Sequence, residues 1–138
     1  MTLSSRLAVS CTLTAMAAGA VQPAQAPTNP PTCHARRDLV APCFTVHGAL
    51  RYYNGAPGVR IWRIGTARLL GVHGLNESGL PESPSVCPLP DGLRDTLEAG
   101  KEVIADFVVC PLTKGQDGTM QLVCVDSVSH IRAKLYRF

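Results

Sequence analysis

Cys33-His34, and Cys43 with His47, are the two places in this chain where a thiol and an imidazole stand close enough in sequence to suggest chemistry. A thiolate activated by a neighbouring imidazole is the arrangement of a cysteine nucleophile. A Cys/His pair is also half of a tetrahedral zinc site. Spacing argues against both readings. Cys43 and His47 share a face of one strand, yet four residues of strand hold them roughly 13 Å apart, beyond hydrogen-bond reach. Cys33-His34 lacks the second spaced pair that zinc needs, and it lies on a proline-rich stretch that would not hold the two side chains in register. Cys33 therefore reads as a disulfide cysteine beside a solvated histidine. The chain has no Gly-x-Ser-x-Gly elbow, no His-Glu-x-x-His helix, no phosphate loop and no dinucleotide fingerprint. Asp91, Asp95, Glu98 and Glu102 gather around one short segment as a solvated face, and His47, His73 and His130 are dispersed. No catalytic residue, metal ligand or cofactor is assigned.

Binding is better represented. Trp62, His47, Arg60, Arg51 and Tyr53 fall on one face of a sheet, and aromatic rings flanked by guanidinium groups stack on planar or anionic ligands. The competing reading packs Trp62 under a loop and leaves the arginines as solvated edges, because aromatic residues are what any strand recruits.

The elements that position this platform lie in residues 43 to 72. Phe44, Val46, Gly48 and Leu50 alternate with Thr45, His47, Ala49 and Arg51, the period of a strand with one buried face. Asn54-Gly55 suits a type I′ turn. Closure there pairs Leu50 with Val59, Gly48 with Ile61 and His47 with Trp62, although Pro57-Gly58 offers a competing turn that shifts the register by a residue or two. A second closure at Gly65-Thr66 sets Ile61 opposite Leu70, Val59 opposite Val72 and Trp62 opposite Leu69. Both closures place Val46, Leu50, Val59, Ile61, Leu70 and Val72 on one face, which is the strongest structural indication in the chain.

Residues 74 to 90 form a long loop with four prolines, and Asn76-Glu77-Ser78 within it matches a glycosylation sequon. A two-turn helix is expected over 91 to 100, with Asp91 as its cap, Leu93 and Leu97 on one face and Gly100 at its end. Strands follow over 102 to 112 and 119 to 128, and residues 131 to 138 either continue the second or add an edge strand. The fold class is mainly β. The element order is that of a small five-stranded OB-like barrel with one short helix between strands 3 and 4, and Gly48 stands mid-strand where such a barrel bends its first strand. A small β-sandwich is the alternative.

Residues 1 to 26 read as an export signal, with Arg6 as the only charge, an apolar run from Leu7 to Val21, and small-residue cleavage sites after Ala20 or Ala26. The run is short of the roughly 20 residues that span a bilayer. Residues 27 to 42 read as a Pro-rich extended arm, and residues 43 to 138 as a single β domain. The net charge of +3 is too mild to argue for nucleic acid or an anionic membrane. Export places the protein in the bacterial periplasm or outside the cell, with no membrane span after cleavage. Five cysteines survive processing, and in an exported domain of this size they read as a disulfide framework. Closing the last hairpin symmetrically about residue 117 puts Cys110 opposite Cys124, so a Cys110–Cys124 bridge is expected. Two of Cys33, Cys43 and Cys87 then form a second bridge and one is left over, either buried or linking two chains.

The strings Pro42-Cys43-Phe44-Thr45-Val46-His47-Gly48, Tyr53-Asn54-Gly55, Arg60-Ile61-Trp62-Arg63-Ile64-Gly65-Thr66, Leu70-Gly71-Val72, Asp106-Phe107-Val108-Val109-Cys110-Pro111-Leu112-Thr113 and Val123-Cys124-Val125 resemble a set of small exported proteobacterial proteins. The resemblance implies a bacterial envelope protein and no particular activity. The leading expectation is a non-enzymatic module that binds a partner protein or an envelope polymer. The alternatives are a structural accessory subunit of an envelope assembly and, less favoured, a hydrolase built on scattered residues.

Overall fold

Five strands and one short helix follow from these patterns in the order β1 (Phe44–Tyr52), β2 (Val59–Arg63), β3 (Leu69–Val72), α1 (Leu93–Glu98), β4 (Lys101–Pro111) and β5 (Gln121–Leu135). The structure, a computed structural model, describes Gly19 and residues 32–76, 78–83 and 86–135. The expected export signal, Gly19 apart, and the first part of the expected arm lie outside the described residues. The strands close into a barrel in the order β1-β2-β3-β5-β4, with β3 and β5 parallel and the remaining neighbours antiparallel. This is the OB-like barrel with its helix between β3 and β4, and not a sandwich. Inward residues alternate with outward ones along each strand, so Val46, Leu50, Val59, Ile61, Leu70, Val72, Val103, Phe107, Val109 and Val123 fill the interior. Leu93 and Leu97 of α1 join the same core, as the shared face of the helix requires.

The β2–β3 register is the expected one. The β1–β2 register differs by two residues: Leu50 pairs with Ile61, Ala49 with Trp62 and Gly48 with Arg63. His47 thus stands opposite Ile64, whose N–H donates to the His47 carbonyl at 3.2 Å, and not opposite Trp62. The physical reason is the turn. Tyr53 N–H donates to Gly58 O at 2.7 Å, so the loop runs through Pro57 and Asn54-Gly55 is one half of it. A shift of two residues leaves every side chain on its original face, and the core assignments are unaffected. Gly48 is required by close packing: a Cβ there would lie 2.5 Å from Ile61 Cγ2 and 2.9 Å from the Trp62 carbonyl oxygen.

Two further corrections concern helix and cysteines. Gly92, at φ 78°, caps α1 without a side-chain hydrogen bond, so Asp91 does not. Cys110 and Cys124 do stand opposite each other in the β4–β5 pair, but they are not bridged to one another. The bonds are Cys43–Cys110 and Cys33–Cys124, so the expected Cys110–Cys124 bridge and the expected pairing within Cys33, Cys43 and Cys87 are both overturned. β4 has a neighbour on each side. The β1–β4 register that sets Phe44 opposite Val109 brings Cys43 beside Cys110 from the other flank, with 4.0 Å between their Cα atoms. Cys33 sits in a one-turn 3-10 helix, Cys33–Ala35, laid against the outer face, and takes Cys124. Cys87 keeps a free, buried thiol.

Candidate functional site

The five platform residues all lie on outward-facing positions of β1 and β2 or just beyond, but the structure divides them into three groups. Arg51 and Arg60 face each other across the β1–β2 pair. Their guanidinium carbons lie 5.6 and 5.0 Å from the centroid of the Tyr53 ring, so the ring carries both cations. Arg60 is also tied to the β1–β2 loop, donating from Nε to Pro57 O at 2.9 Å and from Nη2 to Asn54 O at 3.1 Å. Arg51 is charge-paired with Glu102 of β4 at 3.6 Å. Much of this cationic stack therefore serves the barrel's own outer wall.

Trp62 forms the second group. Ala49 on β1 and Leu69 on β3 are its register neighbours, and the indole is 36 % exposed. Its Nε1–H donates to Thr66 O at 2.7 Å, which fastens the ring edge to the β2–β3 turn. That turn is itself braced, because Thr66 Oγ1 donates to Arg63 O and accepts from Arg68 N–H. An anchored edge with an accessible face loses little rotamer entropy when it stacks on a ligand.

Beside Trp62 opens a cleft of about 330 Å³ between the β2–β3 turn and the β4–β5 loop, with Arg63, Arg68, Leu69, Asp117 and Gln121 among its walls. Leu69 belongs to both features. Arg68 Nη2 donates to Asp117 Oδ1 at 2.6 Å and joins the two loops across the opening. Further along the same sheet face the surface is closed. A Cβ at Gly71 would meet Pro57 of the first loop at 2.5 Å and Met120 of the last at 2.9 Å, so those two loops pack together over β3.

His47 forms the third group, with two residues that the sequence pattern did not single out as partners. Register sets it opposite Asp106 of β4, and His47 Nδ1 lies 2.7 Å from Asp106 Oδ1 while His130 Nδ1 lies 2.9 Å from Asp106 Oδ2. His130 reaches there because the β4–β5 ladder shifts register between Ile104 and Asp106, and His130 itself adopts φ 52°. Such a bulge re-aims a side chain, and no local sequence signal announces it. The outward position of Asp106 could have been read from its even spacing with Glu102, Ile104 and Cys110.

The two imidazoles hold the Asp106 carboxyl below its ordinary range, His47 contributing most and His130 next through their hydrogen bonds. A carboxyl depressed in the folded state adds stability that is present above the unfolded value, about 3.9, and is lost as pH falls through the folded value. Asp106→Asn is therefore expected to flatten the acid limb of the stability profile. Urea midpoints measured from pH 6 down to pH 2 check this, with wild type losing more stability than the variant below about pH 4; parallel profiles would refute it.

Groups within reach of a common metal among the described residues are Cys33, Cys87 and Cys124; His34, Cys43 and Cys110; and Cys33, Cys110 and Asp126. Each includes at least one bridged sulfur, and a metal takes the thiolate. His34 pairs with Asp126 of β5 at 2.5 Å, which pins the 3-10 turn to the barrel. Among the described residues no helix is long and apolar enough to cross a membrane. No family model, curated protein or solved structure matches the chain.

Proposed function

We propose that the protein is an exported, non-enzymatic binding module of the bacterial envelope whose ligand is an envelope polymer, met by Trp62 and the adjoining arginine-walled cleft. The carrying observation is the exposed indole held by its Nε1–H to Thr66 on the outer β2–β3 face. Barrels of this topology use the β2–β3 face and its flanking loops for oligonucleotides and oligosaccharides, and that analogy guides the choice of ligand. Here Pro57 and Met120 cover the middle of the face, which leaves the Trp62 end and its cleft. Two disulfides accord with an oxidising compartment. The leftover Cys87, 6 % exposed, does not present a thiol for linkage to a second chain.

Trp62 is the chain's single tryptophan, so its emission reports on the site directly. Titration with soluble peptidoglycan strands is expected to shift or quench that emission, and the strands are expected to retain wild type and release Trp62→Ala. The substitution should cost about 1–2 kcal/mol, below the 3–5 kcal/mol of a fully buried aromatic. Loss of retention by a folded Trp62→Ala supports the reading. Unchanged emission, or a variant that melts more than about 10 °C early, removes the indole from the site.

A further inference from the structure

The sulfurs of Cys33, Cys87 and Cys124 all lie within 4.8 Å of one another. Two of them form a disulfide and the third is a free thiol. A thiol at that distance from a disulfide is placed for exchange, in which a thiolate attacks one sulfur and displaces the other. A fixed cation stands beside it. Arg36, one residue beyond the 3-10 turn, is held by Asp38 through two hydrogen bonds of 2.9 and 2.6 Å, and its guanidinium also interacts with the Cys87 sulfur.

We propose that Cys87 is the attacking thiol of an internal disulfide exchange that releases Cys33. A bond forms between the sulfurs of Cys87 and Cys124 as the Cys33–Cys124 bond breaks. The electron pair departs with the Cys33 sulfur, which takes up a proton in place of the one Cys87 lost. One disulfide and one thiol exist before and after, so the step needs neither oxidant nor reductant. Cys33 is the leaving group because of where each sulfur sits. Cys124 is held in β5 opposite Cys110, whereas Cys33 belongs to a single 3-10 turn with exposed residues on either side. The exchange passes the free thiol from Cys87 to Cys33, itself 1 % exposed, and removes the covalent tie between the 3-10 turn and β5. The Cys43–Cys110 bridge takes no part and stays intact throughout.

The full exported chain, kept at pH 8 without reductant and with N-ethylmaleimide for about hours, tests this after acid quench, non-reducing digestion and peptide mapping. Maleimide on Cys33 together with a Cys87–Cys124 linked peptide is the expected result. Cys87→Ser is expected to lose both products while retaining Cys33–Cys124 and Cys43–Cys110. The wild-type map decides on its own if Cys87→Ser does not fold. An unchanged Cys33–Cys124 peptide, a Cys33–Cys87 peptide, or Cys33 labelling that persists in Cys87→Ser overturns the proposal.

Discussion

Reduction of both disulfides is expected to leave the domain largely unfolded at 37 °C, while loss of either one alone is tolerated. The bridges span 67 and 91 residues of sequence, and taken singly each would restrict the unfolded chain by about 4 kcal/mol in the chain-entropy account. They are nested, however. With one in place, the other closes only the ten residues from Cys33 to Cys43 and the fourteen from Cys110 to Cys124, a smaller ring contributing about 3 kcal/mol. Removal of the second bridge then frees the whole long loop. The pair together contributes about 7 kcal/mol, within the range of the entire stability of a domain this size. Cys33→Ala/Cys124→Ala and Cys43→Ala/Cys110→Ala should thus show similar modest losses in urea titrations. The quadruple variant should lose more than their sum predicts. A reduced wild type that still unfolds in one cooperative transition at high denaturant would refute the account.

Phe107→Ala is expected to cost about 3–5 kcal/mol through lost transfer energy and an unfilled cavity. Phe107 is fully buried in the middle of β4, between Val46 of β1 and Val128 of β5 in register. Three strands of a closed barrel cannot collapse onto the space without breaking ladder hydrogen bonds, so relaxation is limited. The melting temperature should fall by more than about 10 °C with both bridges intact. A loss below about 1 kcal/mol would show that the barrel interior repacks freely. The contrast with Trp62→Ala, one barrel face away, separates core from surface.

The two-residue period of Phe44 to Leu50, Val59 to Ile61 and Leu70 to Val72 determined which side chains enter the core, because that assignment survives any even shift in pairing. The order of elements likewise pointed to a five-stranded barrel, and the apolar spacing of Leu93 and Leu97 to its short helix. These are local properties, written in neighbouring residues. The outward placement of Trp62, Arg60, Arg51 and Tyr53 was legible for the same reason.

Which of those outward residues touch was decided only by the tertiary structure. The β1–β2 turn had two candidate closures of similar chemistry, and the longer loop through Pro57 moved His47 away from Trp62, while the β1–β4 register set it beside Asp106. His130 joined them through a bulge whose position depends on how β5 meets β4. The disulfides show the same limit. Hairpin symmetry found the Cys110–Cys124 pairing correctly, yet a strand inside a sheet has two neighbours, and barrel closure brought Cys43 to the other flank. Contacts between residues 59 or 91 apart in sequence carry no local signature. They are settled by which strand lies next to which, and that follows from closing the whole barrel around one core.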